Sequence, residues 1–190
     1  QLAKHAGVAR HAWNWGLDLC KKILSHNQEN PEEKLRFPSA IDLHKFLVKW
    51  VKVENPWYYE VSKTSPQYAL RYLGKAFSDF FRKKTANGRK VGFPRFKRKG
   101  QHDRFTLEGT IKIEHSAIQL PKLGILKTYE RLPQGLTPKT AIISRTADRW
   151  FVSFSYEIEP TTTAKLVAAC GVDLGIKTLA TLSTGETFPS

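Results

Sequence analysis

The sequence predicts an α+β chain in which helices come first and short antiparallel strands follow. Two patterns carry that expectation. Through the first ~85 residues the apolar side chains recur every three or four positions, the spacing of a helical stripe. After Asn87-Gly88 they come in short alternating runs between turn signals, the spacing of half-buried strands. A third observation, a small apolar run with one acid at Asp173, marks a segment of different character.

The first helix is carried by Leu2, Ala6, Ala9, Trp13, Leu17, Cys20 and Leu24, which share one stripe. A polar gap follows from Ser25 to Arg36. Ser39 with Asp42 reads as a capping box opening a second helix, Ala40 to about Val53. Ile41, Phe46, Leu47, Val48, Trp50 and Val51 predict that this helix is buried on more than one side, and Asn55-Pro56 ends it. Ser65-Pro66 starts a third helix with Pro at the first helical position. Its inner face is Ala69, Leu73, Ala76, Phe77, Phe80 and Phe81. Strands are expected at Arg104–Leu107, Thr110–Ile113, Ala117–Leu120, Ile125–Tyr129, Thr140–Ser144 and Trp150–Glu159. In the last of these Trp150, Val152, Phe154, Tyr156 and Ile158 share one face. Glu108-Gly109 and Ala147-Asp148 supply turns. Five or six short strands of this kind predict a small barrel or sandwich. Pro160 and three threonines then lead to a last segment, Lys165 to Ser190.

Composition bounds the partners. The 190 residues carry 31 Lys and Arg against 17 Asp and Glu, a net charge of +14. At 41% hydrophobic and 12% aromatic the chain has material for real cores, which argues against disorder. The positive excess favours polyanions. No apolar run approaches the ~20 residues that span a bilayer, and no secretory leader is visible, so no membrane partner and no small-molecule substrate are expected. Cys20 and Cys170 lie far apart and six scattered His sit near neither, which argues against a metal or disulfide framework and for a reducing, cytoplasmic setting. Most of the histidines read as ordinary surface or helix residues. A chain that opens at Gln1 and contains no Met reads as a piece of a longer protein.

Between Asp79 and Asp103 there is no acid, while Arg82, Lys83, Lys84, Arg89, Lys90, Arg95, Lys97, Arg98 and Lys99 supply nine of the net fourteen charges. Such a run repels itself unless an anion neutralises it, and a phosphate backbone does so with release of counterions. Gly92, Phe93, Pro94 and Phe96 punctuate it. Those aromatics can stack on bases or anchor the segment to a core. The bland alternative is a solvated basic linker.

Leu166 to Gly175 forms a strand with Asp173 inside it, Ile176–Leu182 a second strand, and Thr184-Gly185-Glu186 the turn to a third. A carboxylate in an apolar strand is costly to bury unless it is paired or holds a metal. Nucleases of the RNase H type open with three such strands, and there the Asp joins other carboxylates around two Mg²⁺ ions. Three rivals stay open: a strand-end cap, the opening of an actin-like or sugar-kinase ATPase, and a degenerate nuclease that binds without cutting.

With these motifs assembled, the sequence resembles the front part of TnpB (OrfB) proteins, the RNA-guided nucleases of bacterial insertion sequences, a family related to compact type V CRISPR effectors. Five stretches carry the resemblance in the family's order: Ala9-Arg10-His11-Ala12-Trp13-Asn14, Ala76-Phe77-Ser78-Asp79-Phe80-Phe81, Val91-Gly92-Phe93-Pro94-Arg95-Phe96-Lys97, Leu120-Pro121-Lys122-Leu123-Gly124, and Gly171-Val172-Asp173-Leu174-Gly175-Ile176-Lys177. The resemblance implies a helical recognition lobe over 1–88, a wedge-type β-barrel over 89–160, and the first strands of a RuvC nuclease domain over 161–190. It implies guide RNA and target DNA as partners and DNA cleavage by the parent protein, this fragment alone being inactive. Asp173 matches the family's first metal-binding, catalytic carboxylate, implying Mg²⁺ at a site completed beyond Ser190; zinc is implied only in that later part. Lys63 and Gln67 match a pair that reads a short motif flanking the target, and Thr106 matches a barrel residue helping there. Pro66 places Lys63 just outside the third helix. Arg104 joins the basic segment as a nucleic-acid contact. The family's strand before the first helix is missing here. Two other classes remain: a nucleic-acid-binding module without cleavage, such as a nuclease-dead relative or transposition accessory, and an RNA scaffold of ribosomal type.

Overall fold

The stripe that begins at Leu2 becomes one unbroken helix, α1 (Leu2–Glu29), in the computed structural model, which describes residues 1–83, 91–156 and 170–189. Ala6, Ala9, Ala12, Trp13, Leu17 and Cys20 are all buried along it. The helix runs past Ser25, where a polar gap was expected. It stops at Asn30, whose backbone N–H and side-chain amide both donate to the His26 carbonyl, at 2.8 and 3.0 Å. Asn27 then holds Leu35 through its backbone N–H and carbonyl, at 2.7 and 2.8 Å, folding the gap back on the helix.

The capping box at Ser39 and Asp42 is present in both directions and opens α2 (Ala40–Phe46). A π-turn (Leu47–Val51) and a short α3 (Lys52–Glu54) continue it. The expectation of burial on more than one side is wrong. Leu43, Leu47 and Val51 form a single buried ridge, whereas Ile41 and Val53 are 68% and 69% exposed and Trp50 stacks on Phe46 outside the core. One helix face meets α4; among the described residues no layer covers the other. A 3₁₀ turn (Pro56–Glu60) then seats Tyr58 in the core.

The third predicted helix, α4 (Thr64–Phe81), buries Ala69, Leu70, Leu73 and Phe77. It starts at Thr64 rather than at Pro66, and Phe81 is exposed at its end. Asp79 is buried instead, held by Lys75 at 3.4 Å and Arg82 at 3.0 Å. Gly16 brings α1 against this helix: a Cβ there would stand 2.8 Å from one methyl of Leu70 and 2.9 Å from one of Leu73.

His5 is a helix residue, as one of the two expected classes, and its ring belongs to this core. It is fully buried, with its ring centroid 5.0 Å from that of Phe105. The Ser62 backbone N–H donates to Nε2 at 3.1 Å, so the proton sits on Nδ1, which donates to the Gln1 carbonyl at 3.1 Å. Burial pushes the His5 pKa below its ordinary 6.5, and burial does the same at His11 and His44. The unfolded chain therefore takes up protons first as pH falls past 6.5. Stability is expected to be flat above about pH 7.5 and to decline as pH drops from about 7 to about 5. Urea unfolding across that range should show the decline, with a shallower slope for His5→Gln; an unchanged slope would assign the proton uptake elsewhere.

Strands follow as β1 (Arg104–Glu108), β2 (Lys112–Glu114), β3 (Ala117–Leu120), β4 (Gly124–Lys127), β5 (Thr140–Thr146) and β6 (Arg149–Ser155). They make two antiparallel sheets, ordered β1-β5-β6 and β2-β3-β4. Trp150, Val152 and Phe154 form the half-buried face of β6 as expected, while Ile158 and Glu159 lie outside the described residues. Among the described residues no barrel closes. Closure needs every strand hydrogen-bonded on both edges. Here β2 and β4 are too short to ladder along the seven-residue β5 and β6, and Pro133, Gly135 and Pro138 interrupt the loop between β4 and β5. The faces still share one core, in which Phe105, Leu107 and Ile143 meet Ile118, Leu120 and the helices.

The chain divides into two compact units, Gln1–Glu157 and Ile158–Ser190. In the second, β7 (Val172–Asp173), β8 (Thr178–Leu182) and β9 (Thr187–Pro189) form an antiparallel meander in that order. Gly185, left-handed at φ 92°, turns the chain between the last two. Among the described residues no helix is long and apolar enough to cross a membrane.

The two thiols differ sharply. Burial pushes the Cys20 pKa up to about 12, whereas Cys170 is exposed. Because the thiolate is the reactive form, one thiol should react with Ellman's reagent in the native protein and two after denaturation. Rapid labelling of both in the native state would contradict the burial of Cys20.

Candidate nucleic-acid interface

The basic segment is fastened to α1 by two adjacent side chains. Asn14 accepts a hydrogen bond from the Lys97 backbone N–H at 2.8 Å and donates one to the Lys97 carbonyl at 2.9 Å. Trp13 donates from Nε1 to the Arg95 carbonyl at 3.0 Å. These bonds satisfy backbone groups that have no sheet partner, and they hold the segment in place without a strand. Phe93 adds an apolar anchor, edge-on to Phe77 at 5.4 Å and to Phe80 at 5.1 Å. Of the two roles open to it, stacking or anchoring, it performs the second here. Phe96 is about half exposed and carries Lys21 above its ring at 5.3 Å.

Anchoring sorts the cations. Arg95, Arg98 and Lys99 project into solvent and make no ion pair among the described residues. Lys97 is half-buried with its ammonium 4.0 Å from the Trp13 ring centre, and burial, reinforced by Arg104, pulls its pKa down. Its charge is directed at an indole rather than at solvent. Arg82 pairs with Asp79, and Lys83, left-handed at φ 59°, closes α4. Lys84, Arg89 and Lys90 lie outside the described residues. Arg104 opens β1, exposed, with its guanidinium 5.7 Å from the Tyr72 ring. Beside it, Arg10 of α1 pairs with Asp103 at 3.0 Å, tying the start of β1 to the same helix.

Lys63 has helical dihedrals (φ −56°, ψ −27°) although it lies at the cap of α4. Lys63 lies just outside α4, yet Lys63 and Gln67, four apart on one helical path, share a face. Lys63 is exposed and borders a cavity of about 630 Å³ with Lys52, Tyr59 and Lys122. Thr106 is buried on β1, against which α4 packs, and its hydroxyl meets that of Tyr72 at 3.0 Å. Tyr72 is partly exposed. Sequence reasoning missed this tyrosine and its neighbours: Arg71 lies over the Tyr68 ring at 4.9 Å, and Tyr68 donates to Glu108 at 2.9 Å. Their spacing of three and four along α4 was visible; that β1 lies beneath them was not.

Asp173 lies on β7, exposed and paired in register with Thr181. The cost of burying a carboxylate in an apolar strand does not arise within this unit. Among the described residues no group of three or more His, Cys, Asp or Glu is placed to hold a metal ion.

Comparison with known proteins bears on the family of the chain. Residues 1–29 match a family described as a helix-turn-helix domain, that of OrfB proteins of the IS605 type. Those residues form one continuous helix here, so the match covers α1 and not a turn. "Putative RNA-guided DNA endonuclease InsQ" of Escherichia coli (strain K12) is 30% identical over 192 residues, covering 99% of this chain and 44% of that protein. A protein of Streptomyces pristinaespiralis with the same endonuclease name is 38% identical over 152 residues, covering 74% of this chain and 35% of its own length. The chain thus spans less than half the length of the curated relatives it matches. The α1 match, the near end-to-end similarity to the Escherichia coli relative and the sequence stretches in the family's order lead to one conclusion: the chain belongs to the TnpB (OrfB) family.

Proposed function

We propose that this chain is the nucleic-acid-gripping front part of an RNA-guided DNA endonuclease. The observation that supports it most is the basic segment held along α1 by Trp13 and Asn14, with Arg95, Arg98 and Lys99 left free beside Arg104. Fixed cations on a rigid support hold a phosphate backbone at less entropic cost than a solvated linker would. In this reading residues 1–88 act as a recognition lobe, 89–160 as a wedge-type domain and 161–190 as the opening of a RuvC nuclease domain. Guide RNA pairs with target DNA, and the protein reads a short flanking motif with Lys63 and Gln67, Thr106 supporting them through Tyr72. Gln can bond the edge of adenine with both amide atoms, and Lys can reach guanine or phosphate.

A Mg²⁺ clamp needs several carboxylates. Asp173 by itself does not make one, so within this chain it is at most one ligand of a site that other parts of the protein would complete. The test uses the whole protein of which this chain is part, given its guide RNA, Mg²⁺ and matching DNA. Cleavage should disappear in Asp173→Ala while guide binding persists. Cleavage that survives the substitution would remove Asp173 from the catalytic set.

A further inference from the structure

A groove of about 540 Å³ runs along the outer side of α1, lined by Gly7, Arg10, His11, Asn14 and Trp57, with the Lys4–Glu60 ion pair at its edge. Gly7 is the feature without a packing explanation. A glycine inside a helix is destabilising relative to alanine. Gly16 and Gly74 are explained by close neighbours, since added Cβ atoms would meet Leu70 and Leu73 in one case and Ala40, at 3.0 Å, in the other. At Gly7 an added Cβ would meet nothing nearer than an Arg10 nitrogen at 4.0 Å. Where none of the described residues uses the space of the missing side chain, close approach of a ligand to the backbone is a use that remains.

The groove offers a flat apolar surface with polar groups around it. Trp57 is 38% exposed, its Nε1 held by Asn55 at 3.2 Å and its ring set edge-on to His11 at 5.0 Å. His11 is fixed in turn by the Tyr58 hydroxyl at 2.7 Å. Two lining residues join the groove to the basic segment: Asn14 grips Lys97, and Arg10 pairs with Asp103 next to Arg104. A strand held by Arg95, Arg98 and Arg104 therefore has a continuous path into it.

We propose that this groove is a nucleotide subsite, in which one unpaired base of the bound strand stacks at Trp57 while its backbone crosses α1 at Gly7. The inference rests on the nucleic-acid reading above and adds a specific place and an unpaired partner. It is tested on this chain by fluorescence anisotropy with labelled single-stranded RNA, single-stranded DNA and duplex DNA of mixed sequence, comparing wild type with Gly7→Ala and Gly7→Gln. Both variants should melt at or above the wild-type temperature, because each replaces a helix-interior glycine with open space around it. Gly7→Gln should nevertheless bind single strands about tenfold more weakly, the effect of losing one stacked base, with Gly7→Ala in between. The duplex should lose much less. Unchanged affinity in Gly7→Gln for strands that wild type binds would overturn the subsite and leave the broader function intact, and an equal loss on the duplex would overturn the unpaired base. Wild type that binds none of the three probes would overturn both.

Discussion

Replacing Phe77 with alanine is expected to lower the melting temperature by about 6–20 °C, the equivalent of about 3–5 kcal/mol at about 2–4 °C per kcal/mol for a chain of this length. Phe77 is 2% exposed on the inner face of α4. Its ring meets Phe37 edge-on at 5.1 Å, stacks on Phe81 at 6.0 Å and receives Phe93 at 5.4 Å. Truncation removes the transfer free energy of the ring and leaves a cavity among neighbours that are themselves held in place. The same loss reaches the basic segment, since among the described residues Phe93 would keep only Phe80 as a ring partner. Thermal unfolding followed by circular dichroism measures the first effect. A shift of only a degree or two would mean that α4 can collapse onto α1 without the ring.

Neutralising Arg95, Arg98 and Lys99 together with glutamine should reduce the slope of log affinity against log salt by about 2–3, at about 0.7–0.9 for each phosphate no longer neutralised. Lys97→Gln should change the slope far less. Its ammonium faces the Trp13 ring, so its removal costs about 0.5–2 kcal/mol of stability instead. Asn14→Ala separates charge from placement. It leaves every cation in the chain but breaks both bonds to Lys97, so the slope should hold while affinity falls by the cost of ordering a loosened segment. Salt titrations of the three variants against one labelled single strand distinguish these outcomes. A full slope in the triple variant would make the segment a bystander.

Much of the fold was legible because local rules and tertiary needs agreed. The stripe from Leu2 to Leu24, the capping box at Ser39 and Asp42, and the alternation from Trp150 to Phe154 each state their own structure, and each appears. Where a residue's state depends on what covers it, the reading failed. Apolar side chains on two sides of α2 predicted burial on both, yet only the Leu43–Leu47–Val51 ridge found a neighbour. The sequence did not say whether His5, a residue of α1, faces outward or inward; it lies in the core, where Ser62 and Gln1 satisfy both of its nitrogens. Strand spacing predicted a barrel or a sandwich, but spacing does not say which edges meet.

The candidate interface divides in the same way. By itself the sequence determined that a cationic run lies between helices and strands, that the chain resembles one family from end to end, and that Asp173 stands in the first strand of a three-stranded meander. Only the tertiary structure decided which cations are free to act. Trp13 and Asn14 reach across 82 and 83 positions to hold the segment, and in doing so they turn Lys97 inward and leave Arg95, Arg98 and Lys99 outward. Charge is a property of composition and can be counted along the chain. The direction in which a charge points depends on hydrogen bonds between residues that only folding brings together.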